Sequence, residues 1–208
     1  MVKIERSIAE LNRIFDLLNE RYFGNELEKP VITIESGGKK ANVLGFCSAA
    51  KVWKDNEANT YYQITVCSEH LDKGIEEIAG TMLHEMVHLY CSMHQIKDTS
   101  RSGTYHNKKY KEQAEAHALT VEFDKKIGWS VTSLNKESRA FVLTYARGEM
   151  FTLVKGVPKK EDIKGTGSPE PSKSSSRKYV CPKCGAIVRA TKDVNVSCGD
   201  CNVTFEKV

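Results

Sequence analysis

The chain lacks any apolar run approaching the roughly 18 residues that a membrane-spanning helix requires. Its first residues, MVKIERSIAELNRIF, interleave charges with apolar side chains. They have no continuous apolar core of the kind a secretory signal carries. An even cysteine framework is also missing. Seven cysteines, an odd count, argue against a disulfide-stapled secreted domain. The expectation is therefore a cytoplasmic protein with no membrane partner, nucleoid-associated or nuclear if it is linked to DNA.

No strong charge excess is present either. The net charge is +4 over 208 residues. It is unevenly distributed: residues 155–208 hold 11 Lys and Arg against 6 Asp and Glu, while the preceding residues hold 20 against 21. A basic tail points weakly to an acidic partner, nucleic acid being the commonest.

Residues 5–23 carry Ile8, Leu11, Ile14, Phe15 and Leu18 at helical spacing, and Gly24-Asn25 marks a stop. VITIE after Pro30 reads as a strand. Residues 43–54 and 61–67 read as two more, with DNEANT as the hairpin turn between them. A long buried helix is expected over 74–95, capped by Asp72. A second helix is expected over 106–127 with Gly128 as its stop, a third over 137–147, and a short strand over 150–155. Helix, strands, then helices suggest an α+β domain. Residues 158–178, rich in Pro, Gly, Ser and Lys, read as a flexible linker. The domain boundaries are thus 1–157, linker 158–178 and a cysteine module 179–208.

Within the long helix, His84-Glu85-Met86-Val87-His88 places two imidazoles one turn apart on one face. Such a pair can hold one zinc ion, with Glu85 beside the metal rather than on it. Zinc lowers the pKa of bound water and polarises a carbonyl, and Glu85 accepts the water's proton as general base. This is metallopeptidase chemistry. The alternative, incidental histidines in a core helix, leaves three buried polar groups without partners.

A third ligand is needed, and His94, His106, His117, Glu112 and Glu115 are available. His94 turns to another face of its helix. His117 lies about 16 Å along the next predicted helix from His106 and reads as a core or supporting histidine. His106 follows a Gly-containing loop that lets the chain fold back, and is preferred. Glu112 and Glu115 remain the alternatives. Tyr90, Tyr105 and Tyr110 are candidates for stabilising an oxyanion on chemistry alone.

Cys181-Pro-Lys-Cys184 and Cys198-Gly-Asp-Cys201 are paired knuckles, which read as a closed four-thiolate zinc ribbon. Thirty residues cannot build a sufficient core alone, so this second, structural zinc supplies folding energy. Arg177, Lys178, Lys183, Arg189 and Lys192 could contact phosphates, with Tyr179 or Phe205 for stacking. Cys47, Cys67 and Cys91 read as buried structural thiols.

The run from Leu44-Gly45-Phe46, through Trp53 and Ile64-Thr65-Val66, to Leu83-His84-Glu85-Met86-Val87-His88-Leu89-Tyr90 resembles the SprT-like metallopeptidases, which include the Spartan proteases. In that family the third zinc ligand is a histidine followed four residues later by an aromatic, as Tyr110 follows His106. The family's flanking glycines are absent: Tyr105 and Asn107 occupy those places. The resemblance covers about residues 1–130 and the cysteine module. It implies a minimal zincin-type domain, a short sheet packed on the helices bearing the HExxH motif. It also implies a substrate strand added at the sheet edge, and cleavage of DNA-associated or DNA-crosslinked proteins.

The combined expectation is a monomeric zinc metalloendopeptidase with one catalytic and one structural zinc, a protein substrate and DNA as a further partner. The competing reading is a non-enzymatic nucleic-acid-binding protein that retains the scaffold. A hydrolase with a non-peptide substrate is a third. The intact Glu85 favours an enzyme, because a binding scaffold has no use for a base beside the metal.

Overall fold

The computed structural model describes residues 4–37, 43–156 and 176–208. The chain divides into two compact units, residues 1–157 and 158–208. Positions 158–175 of the expected linker lie outside the described residues.

The first unit opens with α1 (Ile4–Phe23), whose buried stripe includes Leu11, Ile14, Phe15 and Leu18. That helical spacing places one apolar face on the core. The helix ends where Gly24 and Asn25 take left-handed φ of 59° and 63° and the Asn25 N–H returns to the Asn19 carbonyl. This closure satisfies a helix-end carbonyl that would otherwise be orphaned.

Strand β1 (Val31–Glu35) follows, then β2 (Gly45–Cys47), the hairpin strands β3 (Trp53–Lys54) and β4 (Thr60–Tyr61), and β5 (Gln63–Cys67). The expected continuous strand 43–54 is thus two short pieces. The first sheet has the order β1-β5-β2, with β1 parallel and β2 antiparallel to the central β5. Central β5 is buried along Ile64, Thr65, Val66 and Cys67, while β2 forms an edge. DNEANT is the turn of the β3–β4 hairpin, with Trp53 opposite Tyr61.

Helix α2 (Ile75–Met93) is the centre of the unit, with Ile78, Ala79, Met82, Leu83, Met86, Val87 and Leu89 buried. Its N-cap is Gly74 at φ 84° rather than Asp72, and no side chain caps it. A second sheet, ordered β6-β7-β9-β8, is built from β6 (Thr99–Ser100), β7 (Tyr105–His106), β8 (Leu119–Asp124) and β9 (Gly128–Leu134).

The helix expected over 106–127 is much shorter. Helix α3 spans Lys108–Ala116, with the Asn107 side chain accepting the N–H groups of Lys109 and Tyr110 as its cap. The chain then turns at Ala118, φ 66°, into β8. Leu119-Thr-Val-Glu-Phe-Asp is better matched to a strand, where β-branched and aromatic residues fit a half-buried pleat. Gly128 is not a helix stop. A Cβ there would lie 2.1 Å from the His106 carbonyl oxygen, so only glycine allows β9 to approach β7. Helix α4 (Lys136–Tyr145), capped by Asn135, closes the unit. Residues 151–156 form no strand; a single 3₁₀ turn, Gly148–Met150, precedes them.

The second unit is a small three-stranded antiparallel sheet, β11-β10-β12, from β10 (Arg177–Val180), β11 (Ile187–Ala190) and β12 (Glu206–Lys207). Its core is Tyr179, Cys181, Cys198 and Phe205. The architecture is mixed α+β followed by a cysteine-bearing ribbon. Among the described residues no helix is long and apolar enough to cross a membrane.

Candidate metal centre

His84, Glu85 and His88 lie on α2, and His106 reaches them from β7. The loop before β7 runs through Arg101, Ser102 and Gly103, all at positive φ, which reverses the chain after α2. Thr99 then pairs with His106 on one side of β7. On the other side the His106 N–H donates to the Ile127 carbonyl at 2.9 Å. His106 is held from both flanks and buried.

The Nε2 atom of His106 is 3.2 Å from that of His84 and 2.9 Å from that of His88. Three ligand nitrogens thus converge within 4.8 Å of one another. Two nitrogens bound tetrahedrally to one zinc at ~2.05 Å are about 3.3 Å apart, so the cluster is near the size zinc needs. Donor chemistry agrees. The Nδ1 of His84 faces the Thr132 hydroxyl at 2.8 Å, and the Nδ1 of His88 faces Asp98 Oδ2 at 2.5 Å. A proton on each Nδ1 leaves both Nε2 lone pairs turned inward. Burial, reinforced by the His88 charge, lowers His106 to about 4, and burial drives His84 well below its ordinary value. Neutral imidazoles are the form that ligates metal. The residues therefore fit a zinc ion.

Glu112 and Glu115, the alternative ligands, are not in this cluster, and Glu115 pairs with Lys111. His94 turns away to Glu26 at 2.8 Å. His117 stacks on Phe23 and holds the Gln113 carbonyl through Nδ1. It is a packing histidine at the end of α3, not a residue farther along a long helix.

Glu85 is buried, and burial pushes its carboxyl up to about 7. The His88 charge and, after it, the Cys47 backbone N–H partly offset that shift. Edge strand β2 passes against the Glu85 stem, where a Cβ on Gly45 would lie 3.3 Å from Glu85 Cγ. Tyr110 forms the floor: its ring centroid is 4.6–4.9 Å from all three imidazoles, and its hydroxyl points to the His84 carbonyl. Fully buried behind the histidines, it is a packing residue rather than an oxyanion donor. Tyr90 packs on His94 and His117, and Tyr105 lies under Arg101. Asp98 and Thr132 escape sequence reasoning, because nothing local marks a loop aspartate or a strand threonine as the partner of a distant histidine.

A protein-family model, that of the SprT-like family, matches residues 11–128, more than half of the chain. The chain belongs to the SprT-like family. Searches of curated proteins and of solved structures return no match. The SprT-like match runs from α1 to the first residue of β9 and so includes all three histidines and Glu85. It makes this a metallopeptidase-type domain.

Beyond the SprT-like segment, Cys181, Cys184, Cys198 and Cys201 form a second cluster of ligand atoms within 4.8 Å. The Cys184 N–H lies 3.5 Å from Cys181 Sγ and is the main cause lowering that thiol to about 7, whereas Cys184 is raised and its thiol lifts Cys201 to about 12. Preformed N–H donors favour thiolates, the form that binds zinc. Burial raises Cys47, Cys67 and Cys91, so these are inert thiols in packed surroundings. Tyr179 and Phe205 are buried in the ribbon core, so neither ring is free to stack on a base. Lys183, Arg189 and Lys192 are exposed, while Arg177 pairs with Asp193 and donates to the Thr191 carbonyl.

Proposed function

We propose that this SprT-like protein is a zinc metalloendopeptidase in which His84, His88 and His106 hold the catalytic ion and Glu85 is the general base. The observation that carries the reading is the convergence of three Nε2 atoms beside a buried carboxyl at a sheet edge. Zinc bound there would acidify water and polarise the scissile carbonyl. Burial raises Glu85 towards neutrality and a neighbouring dication would pull it back, leaving a group able to take a proton and pass it to the leaving amine. Edge strand β2 lies beside that carboxylate and offers backbone groups to an extended peptide, which would pair as an added strand.

The ribbon is read as holding a structural zinc through its four cysteines. Lys178 lies directly opposite Arg189 across the β10–β11 pair. Like charges so placed repel unless an anion joins them. This supports contact with a nucleic-acid backbone and, with it, DNA-associated proteins as targets.

The test is cleavage of a DNA-binding protein, with and without DNA, by wild type and by Glu85→Gln. The reading requires that Glu85→Gln keeps its zinc and loses cleavage. Undiminished cleavage by that variant removes Glu85 as base. Activity indifferent to DNA removes the nucleic-acid half alone.

A further inference from the structure

The chain around edge strand β2 carries no charge. Residues 43–50, Val-Leu-Gly-Phe-Cys-Ser-Ala-Ala, hold no Asp, Glu, Lys, Arg or Pro. Edge strands are normally blunted by such residues, because a bare apolar edge pairs with any strand that meets it. Strand β1, at the other side of the same sheet, carries Glu35, and edge strand β8 of the second sheet carries Glu122 and Asp124. Strand β2 has no such guard.

Pairing register divides its side chains between two faces. Gly45 stands opposite Val66, and a Cβ there would meet Thr81 and Glu85, so Gly45 faces α2 and the metal centre. Cys47 stands opposite Ile64 on that same face. Phe46 stands opposite Thr65 and so takes the other, outer face, where its ring is 40% exposed. Two residues earlier the ladder continues, the Leu44 carbonyl accepting the Cys67 N–H at 2.8 Å, and the Leu44 side chain is also exposed.

Trp53 joins them from the β3–β4 hairpin. Its indole N–H donates to Gln63 Oε1 at 2.8 Å. Gln63 is held in turn, its amide nitrogen donating to Thr65 Oγ1 at 2.9 Å and to Glu35 Oε1 at 3.0 Å. Thr65 is the outer-face partner of Phe46, so this clamp fixes the Trp53 ring, 45% exposed, on the face that Phe46 occupies. A ring already fixed loses little freedom on binding.

We propose that Leu44, Phe46 and Trp53 form a row that selects the substrate, an extended peptide with apolar side chains at every second position. A strand paired with β2 turns alternate side chains to the outer face, about 6.8 Å apart, where they meet this row. The intervening residues turn towards Gly45 and Glu85, where the missing Cβ leaves room for the backbone to be cut. Apolar alternation is the pattern of a half-buried strand, so the substrate class is strand segments bared by unfolding. This rests on the reading of β2 as the pairing edge and adds the chemistry of what pairs there.

Two quenched fluorescent peptides of one composition and about nine residues test it. One alternates Val or Phe with Ser; the other groups the same residues in blocks. Full-length zinc-loaded protein should cleave the alternating peptide with the higher kcat/KM. Mass spectrometry should place its apolar residues on one parity about the cut bond. Phe46→Ala should shrink the ratio about fivefold, the upper end for one cross-strand aromatic pair, chiefly through KM, and Phe46→Leu should restore it. An unchanged melting temperature for Phe46→Ala shows that the loss is not unfolding. Equal cleavage of the two peptides, or a ratio that Phe46→Ala leaves intact, would overturn the proposal. So would a wild-type dimer in sedimentation that Phe46→Ala dissociates, because a second copy would then cover the row.

Binding is read without cleavage. The chain's two tryptophans are Trp53 and Trp129, so Trp129→Phe in a zinc-loaded Glu85→Gln protein leaves Trp53 as reporter. The alternating peptide should shift its emission to the blue and the block peptide should not. Cleavage without that shift sinks the row and keeps the peptidase. The shift without cleavage by wild type sinks the peptidase and keeps the row as a peptide site. Absence of both sinks both.

Discussion

His88 Nδ1 lies 2.5 Å from Asp98 Oδ2, which fixes the ring that presents Nε2 to the other two histidines. Burial and, after it, the nearby Asp98 charge raise the Cys91 thiol to about 12. A carboxylate behind a ligating imidazole sets its tautomer and raises its basicity. Asp98→Ala should therefore weaken zinc at the three-histidine site about 10- to 100-fold, while the ribbon zinc is unaffected. Competition with a chromophoric chelator measures both sites. Equal affinity in wild type and variant would remove Asp98 from the role.

The two clusters predict two zinc ions per chain, lost independently. His106→Ala should drop the count to one, because two imidazoles alone on α2 leave the site without its third nitrogen. Cys198→Ser should also drop it to one, but with a different consequence: the ribbon unfolds while the first unit melts as before. A four-residue core of Tyr179, Cys181, Cys198 and Phe205 cannot hold thirty residues without metal. Elemental analysis of both variants, with thermal melting of each, decides the matter. A single ion in wild type contradicts the prediction at once.

How far these features could be read in advance depends on how local they are. His84, Glu85 and His88 share one helix face, and each cysteine pair shares one knuckle, so spacing alone implies proximity. His106 needed a chain reversal, which Gly103 hinted at but Arg101 and Ser102 complete in left-handed conformations that no residue type announces. The helix expected over 106–127 swallowed β8 because Val121 continues the apolar spacing of Tyr110 and Ala114. Strand pairing with β9, a non-local interaction, decides against it. Gly128 was legible as special, but its reason, the close pass of β9 over His106, exists only in three dimensions.

Glu69 gives a pH prediction with a definite sign. Its carboxylate accepts the Ser36 hydroxyl and the Gly37 N–H, and also faces Ser68. The Ser36 bond is the main cause that lowers it from 4.5 to about 2. A carboxyl depressed in the folded state stabilises above its unfolded pKa and loses that contribution as pH falls to the folded value. The tie between the end of β1 and the turn after β5 should therefore be complete above about pH 4.5 and lost by about pH 2. Glu69→Gln should flatten this part of the stability profile, as read by denaturant midpoints from pH 2 to 6. An unchanged slope would show that the exposed carboxylate is screened to insignificance.

Two glycines, Gly45 against Glu85 and Gly80 inside α2, should respond oppositely to the same substitution. At Gly45 a Cβ would meet the Thr65 carbonyl oxygen at 2.7 Å, Thr81 Cγ2 at 2.9 Å and Glu85 Cγ at 3.3 Å. The first of these is backbone of the central strand and cannot yield without parting β2 from β5. Gly45→Ala should cost about 1–3 kcal/mol by overpacking. It should also reduce hydrolysis more than zinc content, since the displaced parts are the edge strand and the Glu85 stem. At Gly80, inside α2, the nearest atom to a new Cβ is Leu134 Cγ at 3.7 Å, an ordinary contact. Gly80→Ala should therefore stabilise by about 0.5–1 kcal/mol, because a helix interior favours alanine. Denaturant unfolding of the two variants beside wild type tests the pair. A Gly45→Ala protein as stable as Gly80→Ala would mean that the β2–α2 contact around Glu85 is looser than these distances require.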